Sequence, residues 1–176
     1  MIRVANNADI EPIAKSLRQT WQHLKVHQLA GYPHEIPTPD LLAHSIRADL
    51  SRWLVCDSEE FGFFSIANLN GDKTYRRWRF PTGAIRIEHF ACLLSGEVLA
   101  RQFQLLAAHF LNESILVCIP TPLRDAYWGA LKGGFRLLGE SPLVIGTFAW
   151  LYLDRAQRFD EIQAKLQKAK VIKPRS

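Results

Sequence analysis

Cysteine is scarce in this chain: three in 176 residues, with no CxxC spacing. Cys56, Cys92 and Cys118 each lie in an apolar run, and the count is odd. A disulfide framework needs pairs and a thiolate metal site needs close spacing, so neither is expected. These read as reduced, buried thiols of a cytoplasmic protein. Long apolar runs are missing too. None approaches the roughly 18 residues that a membrane-spanning helix needs. The first residues lack the basic-then-apolar pattern of a signal peptide. Internal repeats and low-complexity segments are absent, which excludes solenoid and fibrous architectures. Strong charge is missing from most of the chain as well. The net is +5, yet Leu151 to Ser176 alone holds seven Lys/Arg against three Asp/Glu. The body is nearly neutral, which argues against a nucleic-acid surface, and the basic end reads as a solvated tail.

What is present is an ordinary globular composition, 48% hydrophobic and 22% charged, long enough for one domain with a core. MIRVA reads as a short strand. Ile10, Ile13, Leu17, Trp21 and Leu24 then recur at helical spacing, with Asn6, Asn7 or Asp9 available as a cap. AGYPHEIPTPD holds one Gly and three Pro, so it reads as a loop. A second helix follows, with Thr38 or Asp40 as its cap and Pro39 in its first turn. RWLVCD and FGFFSIANL are strands. Asn70-Gly71 is a strong hairpin signal, which makes KTYRRWRF the returning partner, with Tyr75, Arg77 and Arg79 on one face. GAIRIEHFACLL is a long apolar strand. GEVLARQFQLLAAHFL is a helix, with Leu99, Phe103, Leu106 and Phe110 on one side and Ser95 as its cap. SILVCIP is an apolar strand of a sheet covered on both sides. TPLRDAYWGALKGG is a helix stopped by Gly133-Gly134. FRLLGES and TFAWLYLD are the last strands, and an amphipathic helix carries Phe159, Ile162, Leu166 and Ala169. The order implies an α+β domain with a mixed sheet.

This order resembles the GCN5-related N-acetyltransferase family. IRVANNADIEPIAKSLRQTW is similar to that family's first strand and helix, FGFFSIA to its glycine-bearing third strand, and ALKGGFRLLGE to its glycine–phenylalanine step between helix and strand. The resemblance covers residues 1–154; residues 155–176 add a C-terminal amphipathic helix and basic tail. It implies a central mixed sheet of about seven strands flanked by helices on both faces. It also implies acetyl-CoA as cofactor and transfer of its acetyl group to a primary amine of a small molecule or peptide. A catalytically degenerate relative, serving as a ligand- or protein-binding module, is the alternative.

In that family the pyrophosphate rests on backbone N–H groups of a loop patterned R/Q-x-x-G-x-G/A, where a helix begins. The matching residues here are Cys92, Leu93, Leu94, Ser95, Gly96, Glu97 and Val98. They contain no arginine and one glycine, so the loop departs from the pattern. The resemblance implies Glu88, on the fourth strand, as a general base. By alternation Arg86 shares its face, so a structural ion pair is the competing reading, and His89 falls on the opposite face as a hydrogen-bonded core histidine or a second base. The family's usual acid tyrosine is replaced by Ala130, and Tyr127, almost one turn earlier, is the substitute. Tyr32, His34 and Glu35 fall where the family lines its acceptor pocket. His23 and His27 have a spacing that suits one metal ion, but no H-E-x-x-H pattern supports it and no metal is expected. The stripe of the last helix could dock on the domain or on a second subunit of a homodimer.

Overall fold

The computed structural model describes residues 1–26, 38–58, 60–76, 78–142 and 147–173. Polar groups fix how the chain enters its first helix. β1 (Ile2–Val4) leads to a 3-10 turn at Asn7–Asp9. There the Asn6 side chain accepts from the Ala8 N–H, and the Asp9 carboxylate accepts from the Asn6 N–H. Arg3 donates to both oxygens of Asp9, at 2.7 and 2.9 Å. α1 (Ile10–Val26) then buries Ile10, Ile13, Ala14, Leu17 and Leu24, while Trp21 is partly buried. α2 (Pro39–Ala48) starts where Thr38 Oγ1 accepts from the Leu41 N–H.

β2 (Trp53–Cys56) and β3 (Gly62–Asn68) follow as expected. The expected Asn70-Gly71 hairpin does not form. Asn68 Oδ1 accepts from the Asn70 and Gly71 N–H groups, and Asn70 Nδ2 donates to the carbonyls of Phe80 and Pro81. Local side-chain bonds thus take the backbone groups that a strand ladder would use. The expected returning strand instead contains a four-residue helix, α3 (Lys73–Arg76). β3 pairs directly with β4 (Ile85–Phe90). That strand is shorter than expected, because Cys92 and Leu94 turn back to donate to Phe90 and Ala91. α4 (Gly96–His109), β5 (Ile115–Pro120), α5 (Arg124–Lys132), β6 (Arg136–Pro142), β7 (Thr147–Leu153) and α6 (Phe159–Lys168) complete the chain.

The seven strands form one sheet in the order β1-β2-β3-β4-β5-β7-β6, with β4 and β5 the parallel pair. Adjacent residues go to opposite layers. Phe64 and Val117 pack under α4 and α5 with Leu99, Phe103 and Ala126. Phe63 faces α1 and α2, while Leu116 faces α6. Each fully buried Leu or Phe contributes about 1.5–3 kcal/mol, so these layers carry most of the stability. Phe159, Ile162 and Leu166 of α6 are buried against Leu138, Trp150 and Tyr152. The terminal stripe is therefore covered by the chain's own sheet.

Two irregularities shape the middle of the sheet. Ser65 faces His89 and Ile66 faces Ile87, which leaves Glu88 as an extra, bulged residue. Ile87 and Phe90, three apart, both join the α4 layer, with the Phe90 ring 5.5 Å from Phe103. Arg86, Glu88 and His89 therefore share the other face. Strict alternation puts His89 opposite Glu88, and the bulge overturns that. Second, β4 and β5 pair only at Ile85–Ile115, Arg86–Leu116 and Ile87–Val117. Beyond these, β4 stays with β3 as far as Phe90, and β5 stays with β7 as far as Pro120. The strands part and a gap opens. The bulge increases local twist, and Pro120 has no N–H to offer a neighbour.

Candidate active site

The gap between β4 and β5 widens into a cavity of about 380 Å³. Leu17 and Thr20 of α1 line it, as do Tyr75 of α3 and Phe148 of β7. The rest of the wall includes Arg86 to Phe90 of β4, Cys92, and Cys118 and Pro120 of β5. The chemistry of the wall is mixed. Glu88 takes Arg52 at 2.6 Å on one oxygen and Arg86 at 2.5 Å on the other. Arg86 also lies 3.6 Å from Asp72 and 4.7 Å above the Tyr75 ring. Arg52 is 45% exposed, so the pair it makes contributes about 0–1 kcal/mol; its effect is to fix the carboxylate in place.

His89 is held from two sides. Its Nδ1 is 3.0 Å from Ser65 Oγ, and its ring stacks on Trp53 at 5.8 Å. Burial pushes its pKa below the ordinary histidine value, opposed by Glu88 and reinforced by Arg86 and Arg52. Both cavity cysteines are kept as thiols. Burial pushes Cys118 up to about 12 and raises Cys92, whose Sγ donates to Thr20 Oγ1 at 3.6 Å. Burial likewise raises Tyr75, so its phenol stays a donor.

The cavity continues outward. A second hollow of about 390 Å³ shares Cys92 and Leu123 with it and adds His23, Leu93, Leu94, Pro122, Arg124 and Asp125. A third, of about 540 Å³, shares Arg124 and Asp125 with the second and reaches Ser95, Gly96, Glu97 and Trp128. Through these shared residues they form a track of adjoining hollows from the head of α4 to the centre of the sheet. At the head, Ser95 Oγ accepts from the Val98 N–H and caps the helix. The N–H groups of Leu93, Ser95, Gly96 and Glu97 meet no acceptor among the described residues. The Arg124 guanidinium has no acidic partner among them either. Four open donors, a helix N-terminus and one arginine suit an anion; Glu97 and Asp125 beside them limit the net charge.

The structure thus brings Glu88 onto the cavity wall and Cys92 to Glu97 along the track. Val98 spends its N–H on the cap. Gly96 serves packing: a Cβ there would stand 2.7 Å from Trp128 Cε3, so the bare backbone lets α5 lie against α4. Tyr127 packs against the α4 layer and is not among the residues lining the cavity. It sits one turn after the wall residue Leu123, whose carbonyl accepts its N–H. Tyr32, His34 and Glu35, with His27, lie outside the described residues. Sequence reasoning missed Arg52, Ser65, Tyr75 and Arg124. Arg52 and Glu88 are 36 residues apart, and no local spacing signals such a pair.

No protein-family model and no curated protein sequence matches this chain. Solved structures do. An N-acetyltransferase from Staphylococcus aureus Mu50 superposes with a TM-score of 0.64 at 17% identity, covering 87% of this chain and 100% of that one. The aminoglycoside acetyltransferase AAC(6')-Ib in complex with coenzyme A gives 0.65 at 15% identity over 92% and 97%. The ribosomal-protein-S5-alanine acetyltransferase of Vibrio fischeri gives 0.60 at 13% identity over 89% and 93%. With seven strands in this order, one parallel pair parting at its end and a helix beginning beside the gap, the chain carries the fold of the GCN5-related N-acetyltransferases.

Proposed function

We propose that this protein is an acetyl-CoA-dependent N-acyltransferase that acetylates a primary amine of a small molecule or peptide. The track of adjoining hollows from the N-terminus of α4 to the gap between β4 and β5 carries this reading. Its shape suits a long ligand with an anionic outer part and an uncharged arm. The open N–H groups of Leu93, Ser95, Gly96 and Glu97, with Arg124, would hold the diphosphate. The backbone of β4 beyond Ile87, released from β5, would hold the amides of the arm. Acetyl-CoA, when bound, would supply the activated acyl group. The comparison proteins named above act on an aminoglycoside and on a ribosomal-protein alanine, so the fold serves both small and peptide amines.

The chain's own groups favour direct transfer. Cys92 and Cys118 stay protonated at neutral pH and are poor nucleophiles, which argues against an acyl-cysteine route. Glu88, steadied by two arginines, would accept an N–H of the acceptor and orient it. Tyr127, whose N–H bonds the carbonyl of the wall residue Leu123, is the phenol we propose to return a proton to the leaving sulfur. Calorimetric titration with acetyl-CoA and CoA tests the reading. Micromolar affinity is expected, and silence up to millimolar ligand would leave a binding module in its place. Tyr127→Phe should keep that affinity and lower turnover by about tenfold or more; unchanged turnover would remove Tyr127 from the reaction.

A further inference from the structure

We propose that His89, through Nε2, is the base that takes the proton from the attacking nucleophile in the sheet cavity. This rests on the acyltransferase reading above. The bulge in β4 sets the position of the ring. Without the extra residue at Glu88, strict alternation would send His89 into the α4 layer among Phe64 and Phe103. The bulge turns it to the face of Arg86 and Glu88, where it lines the cavity. Ser65, 2% exposed, sits 3.0 Å from Nδ1, and Trp53 stacks on the ring at 15° between planes. Nδ1 is thereby occupied, and Nε2 has no partner among the described residues. We take Ser65 Oγ to accept from Nδ1–H rather than donate to Nδ1, which leaves the lone pair on Nε2.

Charge supports the same role. The groups that line the cavity with His89 are Glu88 and Arg86 on β4, Cys92 after β4, Cys118 on β5 and Tyr75 on α3, while Arg52, ahead of β2, acts on the ring from outside the lining. Burial dominates and lowers the imidazole pKa, so the ring is neutral at pH 7 and can accept a proton. Glu88 has both oxygens already bonded to guanidinium groups, which leaves it to orient. The step balances simply. The nucleophile's nitrogen bonds the acyl carbon, one of its N–H protons passes to Nε2, and the electron pair of the broken carbon–sulfur bond leaves on sulfur. Water, as an alternative nucleophile, gives up an O–H proton in the same way.

The test needs no knowledge of the natural acceptor. Two-bond ¹H–¹⁵N correlation spectra of the whole protein read the tautomer. At pH 7.5 His89 should carry its proton on Nδ1, with a titration midpoint below the ordinary value of about 6.5. Ser65→Ala should mix the tautomers. An Nε2–H tautomer or an imidazolium at pH 7.5 in the wild type would overturn the assignment. Acceptor-free hydrolysis of acetyl-CoA is the second readout. His89→Gln should lower it by about tenfold or more and abolish its fall at acid pH. Its CoA affinity should stay within about threefold of wild type. Equal hydrolysis by the two proteins would overturn the role of His89 while leaving CoA binding intact. Failure of the wild type to bind CoA would instead remove the acyltransferase reading itself.

Discussion

Asp9 shows how much one side chain settles. It is 9% exposed, accepts from its own turn through the Asn6 N–H, and receives two bonds from Arg3. The Arg3 hydrogen bond is the largest influence and holds its carboxyl below the ordinary carboxylate value, against the effect of burial. A lowered native pKa means that the stability from this group is complete above the unfolded value, about 3.9, and is lost as the pH falls through the native value. Asp9→Asn should therefore lower the unfolding free energy at pH 7 by about 1–3 kcal/mol in urea titrations. The difference from wild type should shrink by pH 3; an equal difference at both pH values would count against the ion pair. The cap was legible as one of Asn6, Asn7 or Asp9 because capping depends on residue type at short range; Asn6 takes it, and Asp9 returns the bond to its N–H. So was the Arg86–Glu88 pair, two residues apart on one strand. The placement of His89 was not, because a bulge is written in the pairing of two strands and leaves no mark in either alone.

Elements were read well where one face decided them. Thr38 and Ser95 cap the helices they precede, and the stripes of α1, α4 and α6 are buried except at Ala169, which is exposed, and at Trp21 and Phe110, which are partly buried. The Asn70-Gly71 dipeptide misleads because neighbouring side chains compete for the same backbone groups. The contact between α4 and α5 was also hidden. Gly133-Gly134 reads as a stop, and Gly134, at φ +99°, does end α5. Yet Gly133 and Gly129 are small because α4 lies against them. A Cβ on Gly133 would collide with Phe103 Cβ, and one on Gly129 would come within 2.7 Å of Leu99 Cβ and 3.1 Å of the Gly96 carbonyl. Helices packed this closely cannot absorb a methyl without sliding apart. Gly129→Ala should cost about 1–3 kcal/mol despite the higher helix propensity of alanine. Thermal melts should show a clear drop, and a stabilised variant would mean that propensity outweighs packing here.

At the scale of the whole molecule, the order of strands and helices was legible in hydrophobic periodicity except for the strand expected at KTYRRWRF, where α3 forms instead, and the sheet gap was not. Two parallel strands with apolar sequences give no sign of where they cease to pair; that depends on a bulge in β4, a proline ending β5, and each strand's continued pairing with its outer neighbour. The gap is nevertheless what connects the track at the head of α4 with the side chains around Glu88 and His89. If the arm of CoA lies there, filling the gap should block binding without unfolding the domain. Cys118 is the place to fill it. It lies on the part of β5 that has left β4, and it lines a cavity with room for a ring. Cys118→Phe should therefore weaken CoA binding by about tenfold or more, equivalent to about 1.4 kcal/mol or more. Its urea midpoint should stay close to that of wild type, because the ring enters existing space and displaces no packed side chain. A Cys118→Phe protein that is folded and binds CoA as tightly as wild type would mean that the ligand reaches α4 without entering the sheet, and the reaction would have to be sought elsewhere on the surface.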